Sequence, residues 1–363
     1  MSRDDRIAAF VLTGFLGSGK TTLLRRILAA PEYADSAVIV NELGEVGLDH
    51  ELVAFSADST VVMQGGCVCC SIREDIEKTL RELFEARDAG KIPAFRRLFI
   101  ETTGIADPQP LLFTLRGSPV AATRLQKPRI VTVLDGILGA ETLARHAEAV
   151  NQVAAADTVL ISKRDLGCDD ALAARVTGIN PWARVHHANL LLDDVIALIG
   201  AGTDEAGPER AVLGRDGRPN GAHFDHGHMH TFSLALDTPL DWTAFGVWMT
   251  MLLHRHGRNI LRIKGILNIE GSAGPVVFHA AQHLVHPPEH WTSWPSPDRR
   301  SRLVFIVRDL DPALIERSLK VFDAAARIKS SESPTDTYLP AGAGGMVAGR
   351  PVRRPTAPRW LKG

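Results

Sequence analysis

From Phe10 to Leu24 the chain reads FVLTGFLGSGKTTLL, in which Gly14 and Gly19 bracket four residues and Lys20 and Thr21 follow directly. This is the spacing of a phosphate-binding loop between an apolar strand and a helix. The order has a chemical reason. The segment Gly14, Gly17, Ser18, Gly19 lets backbone N–H groups close around phosphate oxygens, and the helix that begins here adds a partial positive charge. Lys20 can reach the β- and γ-phosphates, while the Thr21 hydroxyl can ligate Mg2+. A nucleoside triphosphate is the expected ligand, because a chance glycine turn would not bring strand, lysine, threonine and helix into one register.

Two further segments would complete a nucleotide site. RLFIETTG sets a carboxylate, Glu101, at the tip of an apolar strand, where it can hold Mg2+ through water or orient the attacking water. TVLISKRDL resembles the guanine-reading N-K-x-D loop, with Ser162 in place of Asn. Asp165 can accept two hydrogen bonds from guanine, a pattern adenine cannot supply, and the Lys163 stem can pack over the base. GTP is thus expected over ATP, with some slackening of base selectivity where the Asn amide is missing.

A second chemistry sits in QGGCVCCSIREDI, where Cys67, Cys69 and Cys70 fall in a glycine-led loop before a helix. The helix terminus lowers thiol pKa and favours thiolates, which suit Zn2+ and also accept Co2+ or Cu(I). Three cysteines leave a fourth position open, as a transfer site needs; a redox loop or inert buried cysteines are the alternatives. In VNELGEVGLDHEL, after the second strand, Glu42 or Glu45 is placed to supply a further ligand from a loop that senses the γ-phosphate. HFDHGHMHTF carries His223, His226, His228 and His230; His226, His228 and His230 are candidate ligands for a borderline metal, weighed evenly against a solvated His-rich linker. His279 and His283 share side-chain parity on an expected strand and read as structural histidines.

Apolar runs alternating with helical patterns position these groups. Strands are expected at Arg6–Thr13, Ser36–Asn41, Thr60–Gln64, Arg97–Glu101, Arg129–Leu134 and Thr158–Ser162. Helices are expected at Lys20–Ala29, Arg73–Ala89, Pro108–Leu115, Ala140–Ala155 and Asp170–Gly178. This is an α/β pattern, a P-loop NTPase domain with a mostly parallel sheet over residues 1–200, whose polar loops fall at the carboxyl ends of strands. Residues 201–228 read as a flexible His-containing linker. A smaller α+β domain follows over 229–330, with strands Met229–Leu236, Asn259–Glu270, Val276–His286 and Arg302–Val307 and helices Trp242–His256 and Pro312–Ala325. Trp242, Phe245 and Trp248 read as the core face of the first of these helices, and 339–363 as a disordered tail.

The balance of 41 Lys and Arg against 42 Asp and Glu argues against a dominant nucleic-acid role. No apolar run approaches the ~20 residues of a membrane span, the N-terminus does not read as a signal peptide, and clustered cysteines suit a reducing cytoplasm.

Taken together, GFLGSGKTTLL, NELGEVGLD, GGCVCCSIREDI, ETTGIADP, SKRDL, the His-bearing linker and ILRIKGILNIEG resemble the CobW-like family of P-loop GTPases, related to the nickel-insertion GTPases of urease and hydrogenase. HLVHPPEHWTSWP and RLVFIVRDLD resemble its C-terminal domain. The resemblance implies a low-turnover GTPase that delivers Zn2+ or Co2+ to a client metalloprotein or cofactor pathway. It maps the phosphate loop onto Gly14 through Thr22, the strand-end Glu onto Glu101, and the C-x-C-C metal site onto Cys67, Cys69 and Cys70. Two other functions compete: a zinc-responsive GTP-binding regulator without delivery, and a P-loop metabolic kinase, which would need neither the cysteine loop nor S-K-R-D.

Overall fold

The computed structural model describes residues 6–41, 61–64, 72–167, 170–187, 224–226 and 229–331. In its first part, parallel strands β1 (Ala8–Thr13), β2 (Ser36–Asn41), β3 (Val61–Gln64), β4 (Arg97–Thr102), β5 (Arg129–Asp135), β6 (Thr158–Ser162) and β7 (Arg184–His187) form one sheet. Their order is β3-β2-β4-β1-β5-β6-β7. Seven helices accompany them among the described residues: α1 (Lys20–Ala29), α2 (Ile72–Asp88), α3 (Gln109–Gly117), α4 (Pro119–Arg124), α5 (Gly139–Arg145), α6 (Ala147–Ala155) and α7 (Asp170–Ile179).

Successive strand residues point to opposite faces, which explains why both faces need cover. Phe10, Leu12, Val38, Val40 and Phe99 join Leu23, Leu24, Ile27 and Leu28 of α1 in one core layer. Ala9, Val11, Ile39, Leu98 and Ile100 meet Ile76, Leu80, Leu83 and Phe84 of α2 in another.

The second sheet is antiparallel, in the order β12-β11-β10-β14-β9-β8 with β13 beside β11. Its strands are β8 (Phe224–His226), β9 (Met229–Leu236), β10 (Ile260–Leu267), β11 (Val276–Ala281), β12 (Leu284–Val285), β13 (Glu289–His290) and β14 (Ser301–Arg308). Helices α8 (Trp242–His256) and α9 (Pro312–Ser331) belong to this part. Phe245, Trp248, Ile315 and Leu319 bury with Phe232, Ile263 and Phe305. Asp241 caps α8 by accepting from Ala244 N at 2.7 Å. On the opposite side, Met229, Leu261 and Ile306 share a cluster with Ala149, Val153, Leu172 and Ile179 of α6 and α7. The Thr231 hydroxyl donates to Ile179 O at 2.8 Å, so the two sheets are joined through these helices.

Several expectations are corrected. The helix expected over Ala140–Ala155 is two, because His146 is extended (φ −122°, ψ 111°) between α5 and α6. Its ring stacks on Phe15 at 4.4 Å, a tertiary contact that helical periodicity does not encode. The strand expected over Val276–His286 is a tight hairpin, reversing at Gln282 with φ 51°. Strands β7 and β8 and helix α4, capped by Ser118 at 3.0 Å, were not expected, and α9 runs beyond Ala325. Trp242 is 42% exposed and only Phe245 and Trp248 enter the core.

Candidate nucleotide and metal site

The phosphate-binding segment leaves the carboxyl end of β1 and closes into α1. Gly14 has φ 142°, and a Cβ there would stand 2.2 Å from the Val133 carbonyl oxygen of the neighbouring strand. Only glycine fits that turn. Gly17 is exposed at the loop's tip, Gly19 is the N-cap of α1, and Thr22 is exposed on the first turn. The Lys20 ammonium, 8% exposed, donates to Gly14 O at 2.8 Å and Phe15 O at 3.3 Å. It therefore sits inside the loop's own concavity. Ser18 is buried, with a hydroxyl that finds no hydrogen-bond partner among the described residues.

Glu101 is the penultimate residue of β4, opposite Leu12 and Val40, and its carboxylate accepts from the Thr21 hydroxyl at 2.7 Å. Two hard oxygen groups thus meet at the base of the loop, a donor set that fits Mg2+. The segment after β4 passes close beneath the phosphate loop. A Cβ on Gly104 would lie 2.7 Å from Leu16 N, so glycine is required by proximity. Gln152 of α6 holds this segment by donating to Gly104 O at 3.1 Å and Ala106 O at 3.0 Å. Asp107 then accepts from Gln109 N at 2.9 Å and from Asn151 at 3.4 Å, and burial raises its carboxyl pKa above the ordinary value. Asn151 also accepts from Arg308 of β14. The strand-end loop is in this way tied to the second sheet.

The S-K-R-D segment follows the end of β6. Ser162 is fully buried, and its hydroxyl donates to Ser18 O at 2.7 Å and Leu134 O at 3.3 Å. It braces the glycine loop at Ser18. Lys163 adopts φ 56° and donates to Asp135 at 2.6 Å. Burial opposes ionisation of Asp135, but Lys163 and the amides of Leu138 and Ile137 outweigh it and hold the carboxyl below its usual pKa. Asp165 lies exposed on the short turn Arg164–Leu166.

Asp135, Gln152, Asn151 and Asp107 were missed in the sequence. Asp135 had a usable signal, a carboxylate ending an apolar strand before Gly136; Gln152 had none, because it is one polar residue on an apolar helix.

The metal candidates are brought together less fully. Cys67, Cys69, Cys70, Glu42 and His228 lie outside the described residues. His226 belongs to β8, and His230 is half-buried in β9, opposite Asp225 and Val307. Among the described residues no three His, Cys, Asp or Glu side chains converge as a metal-ligand group. The hairpin also separates the pair expected on one strand face: His283 Nδ1 meets Leu253 O of α8 at 2.9 Å, whereas His279 stacks toward His286.

Comparison with known proteins adds a lineage to this geometry. Residues 8–187 match the family model described as CobW/HypB/UreG, nucleotide-binding domain, and 229–322 match the cobalamin synthesis protein cobW C-terminal domain. The chain belongs to the CobW/HypB/UreG family. It is 32% identical over 301 residues to the zinc chaperone YjiA of Escherichia coli, covering 83% of this chain and 93% of that protein. It is 30% identical over 359 residues to the zinc chaperone CobW of Pseudomonas aeruginosa, covering 87% and 91%. The crystal structure of the Zn(II)-bound YjiA GTPase from E. coli superposes with a TM-score of 0.69 at 27% identity, covering 87% of this chain and 99% of that chain. This member of the family keeps both parts of the architecture, the P-loop sheet and the antiparallel sheet beyond it. No described helix is long and apolar enough to cross a membrane.

Proposed function

We propose that this protein is a GTP-hydrolysing metallochaperone whose cargo is Zn2+ or Co2+, and whose nucleotide state sets its metal affinity. The observation that carries the reading is the Thr21–Glu101 contact of 2.7 Å beneath a glycine loop that already encloses Lys20. Lys20 neutralises β- and γ-phosphate charge, and the N–H groups from Gly14 to Thr22 line the phosphates. Thr21 and Glu101 hold Mg2+, which when bound offsets charge on the phosphate oxygens. Lys163, anchored by Asp135, backs the base, and Asp165 reads guanine from its exposed turn. Ser162 keeps the loop and the base segment in one rigid unit.

Cys67, Cys69 and Cys70 bind the cargo through thiolates, with Glu42 as the fourth ligand, contributed by the loop after β2. Because β2 lies beside β4, the strand that carries Glu101, ordering of the Glu42 loop on GTP binding changes the ligand set. His226, His228 and His230 serve as a secondary collecting segment. The organisation runs as a GTPase domain over 1–200, a linker over 201–228, a C-terminal domain over 229–330 that offers a client surface, and a tail over 339–363. The client is a metalloprotein or a metal-cofactor pathway enzyme, and the thiols call for a reducing, cytoplasmic compartment.

The test is equilibrium metal competition on wild type and Cys69→Ala, with a non-hydrolysable GTP analogue or with GDP, alongside GTP turnover with and without stoichiometric Zn2+. Metal affinity should differ between nucleotide states, by the 5- to 150-fold typical of coupled sites, and Cys69→Ala should abolish the difference. Equal affinity in both states, or turnover indifferent to metal, overturns the reading.

A further inference from the structure

A second concave site lies far from the phosphate loop, at the amino ends of β5 and β6, where the first sheet and its helices meet β10 and β11. It is a cavity of about 60 Å3, room for one tetrahedral oxyanion or a few waters. Four cationic side chains line it, Arg116, Lys127, Arg262 and Lys264, together with His279 and His286. Asp157 is the one carboxylate among the described lining residues.

The internal pairings leave a positive excess. Arg262 is fully engaged: it donates to the carbonyls of Ala154, Ala155 and Ala156 at the end of α6 and to Asp157 at 2.6 Å. Lys127 sits at the solvent mouth beside Glu289 at 3.4 Å. Lys264 shares the already-paired Asp157 at 3.7 Å. Arg116, in the last turn of α3, makes no hydrogen bond or ion pair with a described residue. His279 stands directly across the β10–β11 ladder from Lys264, and its buried Nδ1 finds no hydrogen-bond partner among the described residues. The His286 ring lies 5.7 Å from it.

Electrostatics agree with the geometry. Burial, then Arg262, pushes Lys264 down to about 7, and burial pushes Arg116 down to about 10. Burial, followed by the neighbouring cations, lowers both histidines well below their usual range, so near neutrality each is a neutral imidazole able to donate one N–H. Buried cations without matching anions are costly, and an oxyanion would relieve them through charge-assisted hydrogen bonds.

We propose that this inter-sheet cavity is a binding site for a phosphate-class oxyanion, gripped by Arg116 and Lys264 with His279 and His286 donating from the sheet. Among the described residues Arg116 has no carboxylate of its own and Lys264 has only a share of Asp157, which Arg262 already engages, so the cavity carries more cationic groups than its one carboxylate can match. Arg116 also offers the planar fork that suits phosphate oxygens. The bound anion would bridge α3 of the nucleotide-binding part to β10 and β11, tightening one part on the other. The anion is either inorganic phosphate or the phosphate of a small monoester, since the mouth beside Lys127 is open to solvent.

The experiment is a calorimetric titration of the full chain saturated with Mg2+ and a non-hydrolysable GTP analogue, so that the phosphate loop is filled. Sodium phosphate is added at constant ionic strength against chloride and acetate, with glycerol 3-phosphate as a parallel arm. Saturable phosphate binding that weakens at least tenfold in Arg116→Ala and in Lys264→Met, with unchanged affinity for the GTP analogue, supports the site. Tighter binding of glycerol 3-phosphate assigns a monoester, and equal or weaker binding assigns inorganic phosphate. Should Lys264→Met fail to fold, the half-exposed Arg116 carries the test alone. No binding beyond chloride, equal binding of acetate, or phosphate affinity undiminished in Arg116→Ala overturns the proposal.

Discussion

Lys20 and Thr21 gain their meaning from the atoms they touch. Lys20→Ala removes the ammonium held 2.8 Å from Gly14 O, and GTP turnover should fall by about 10²-fold or more, as when one preorganised transition-state donor is lost. Single-turnover kinetics at saturating GTP measures it. Ser162 is a subtler case, because its hydroxyl is buried and supports the phosphate loop through Ser18 O. Ser162→Ala strands that carbonyl and should cost about 1–3 kcal/mol in denaturant unfolding, together with weaker GTP binding. If GTP affinity and stability both stayed at wild-type values, the bracing role would be wrong. Gly104→Ala forces a methyl to within 2.7 Å of Leu16 N, so KM for GTP should rise even though residue 104 need not touch the nucleotide.

Among elements, the decisive junction is between α6 and β10. Helix α6 ends at Ala155, and Arg262 of β10 donates to the carbonyls of Ala154, Ala155 and the C-cap Ala156 together with Asp157. Four acceptors around one guanidinium explain why this charged residue sits only 9% exposed in β10. Arg262→Met leaves Asp157 and the helix end short of a partner and should destabilise the protein by about 3 kcal/mol, read from urea unfolding. Arg262→Lys should recover little, because an ammonium cannot span that row of oxygens. The elements themselves were legible where one-dimensional pattern decides. The alternation of β1, β2 and β4 and the apolar stripe of α1 follow period 2 and period 3.6. Two boundaries were not legible: the break at His146 answers to a remote contact with Phe15, and the hairpin turns at Gln282, a non-glycine residue at positive φ that gives no turn signal in the sequence.

At the scale of the molecule, the charge buried between the sheets gives a pH signature. Lys264 has a folded-state value of about 7 against 10.5 for the free side chain. Between these values the unfolded chain holds a proton that the folded one has released, so stability rises with pH from about 7 toward 10.5. Below about 7 both states are protonated and the penalty is constant. Lys264→Met should flatten that rise while raising stability at pH 6 to 7, measured as the unfolding free energy across pH. A slope unchanged by the substitution would assign the titration elsewhere. Nearby, Asp107, Asn151 and Arg308 link the loop after β4 to β14, so that loop and the second sheet share one hydrogen-bonded network.

The sequence alone showed the G-x-x-x-x-G-K-T spacing, a carboxylate late in an apolar strand, an S-K-R-D segment and a C-x-C-C run, because each is a local pattern of residue types along the chain. It likewise determined two successive folding parts, since hydrophobic periodicity is a local property. Only the tertiary structure decided that Ser162 braces Ser18 across 144 positions, that Asp135 anchors Lys163, and that Arg116, Lys264 and His279 gather around one cavity. Those relations join residues distant in sequence, and they come into being when sheets and helices pack, because burial makes every polar group seek a partner in space wherever the chain has placed it.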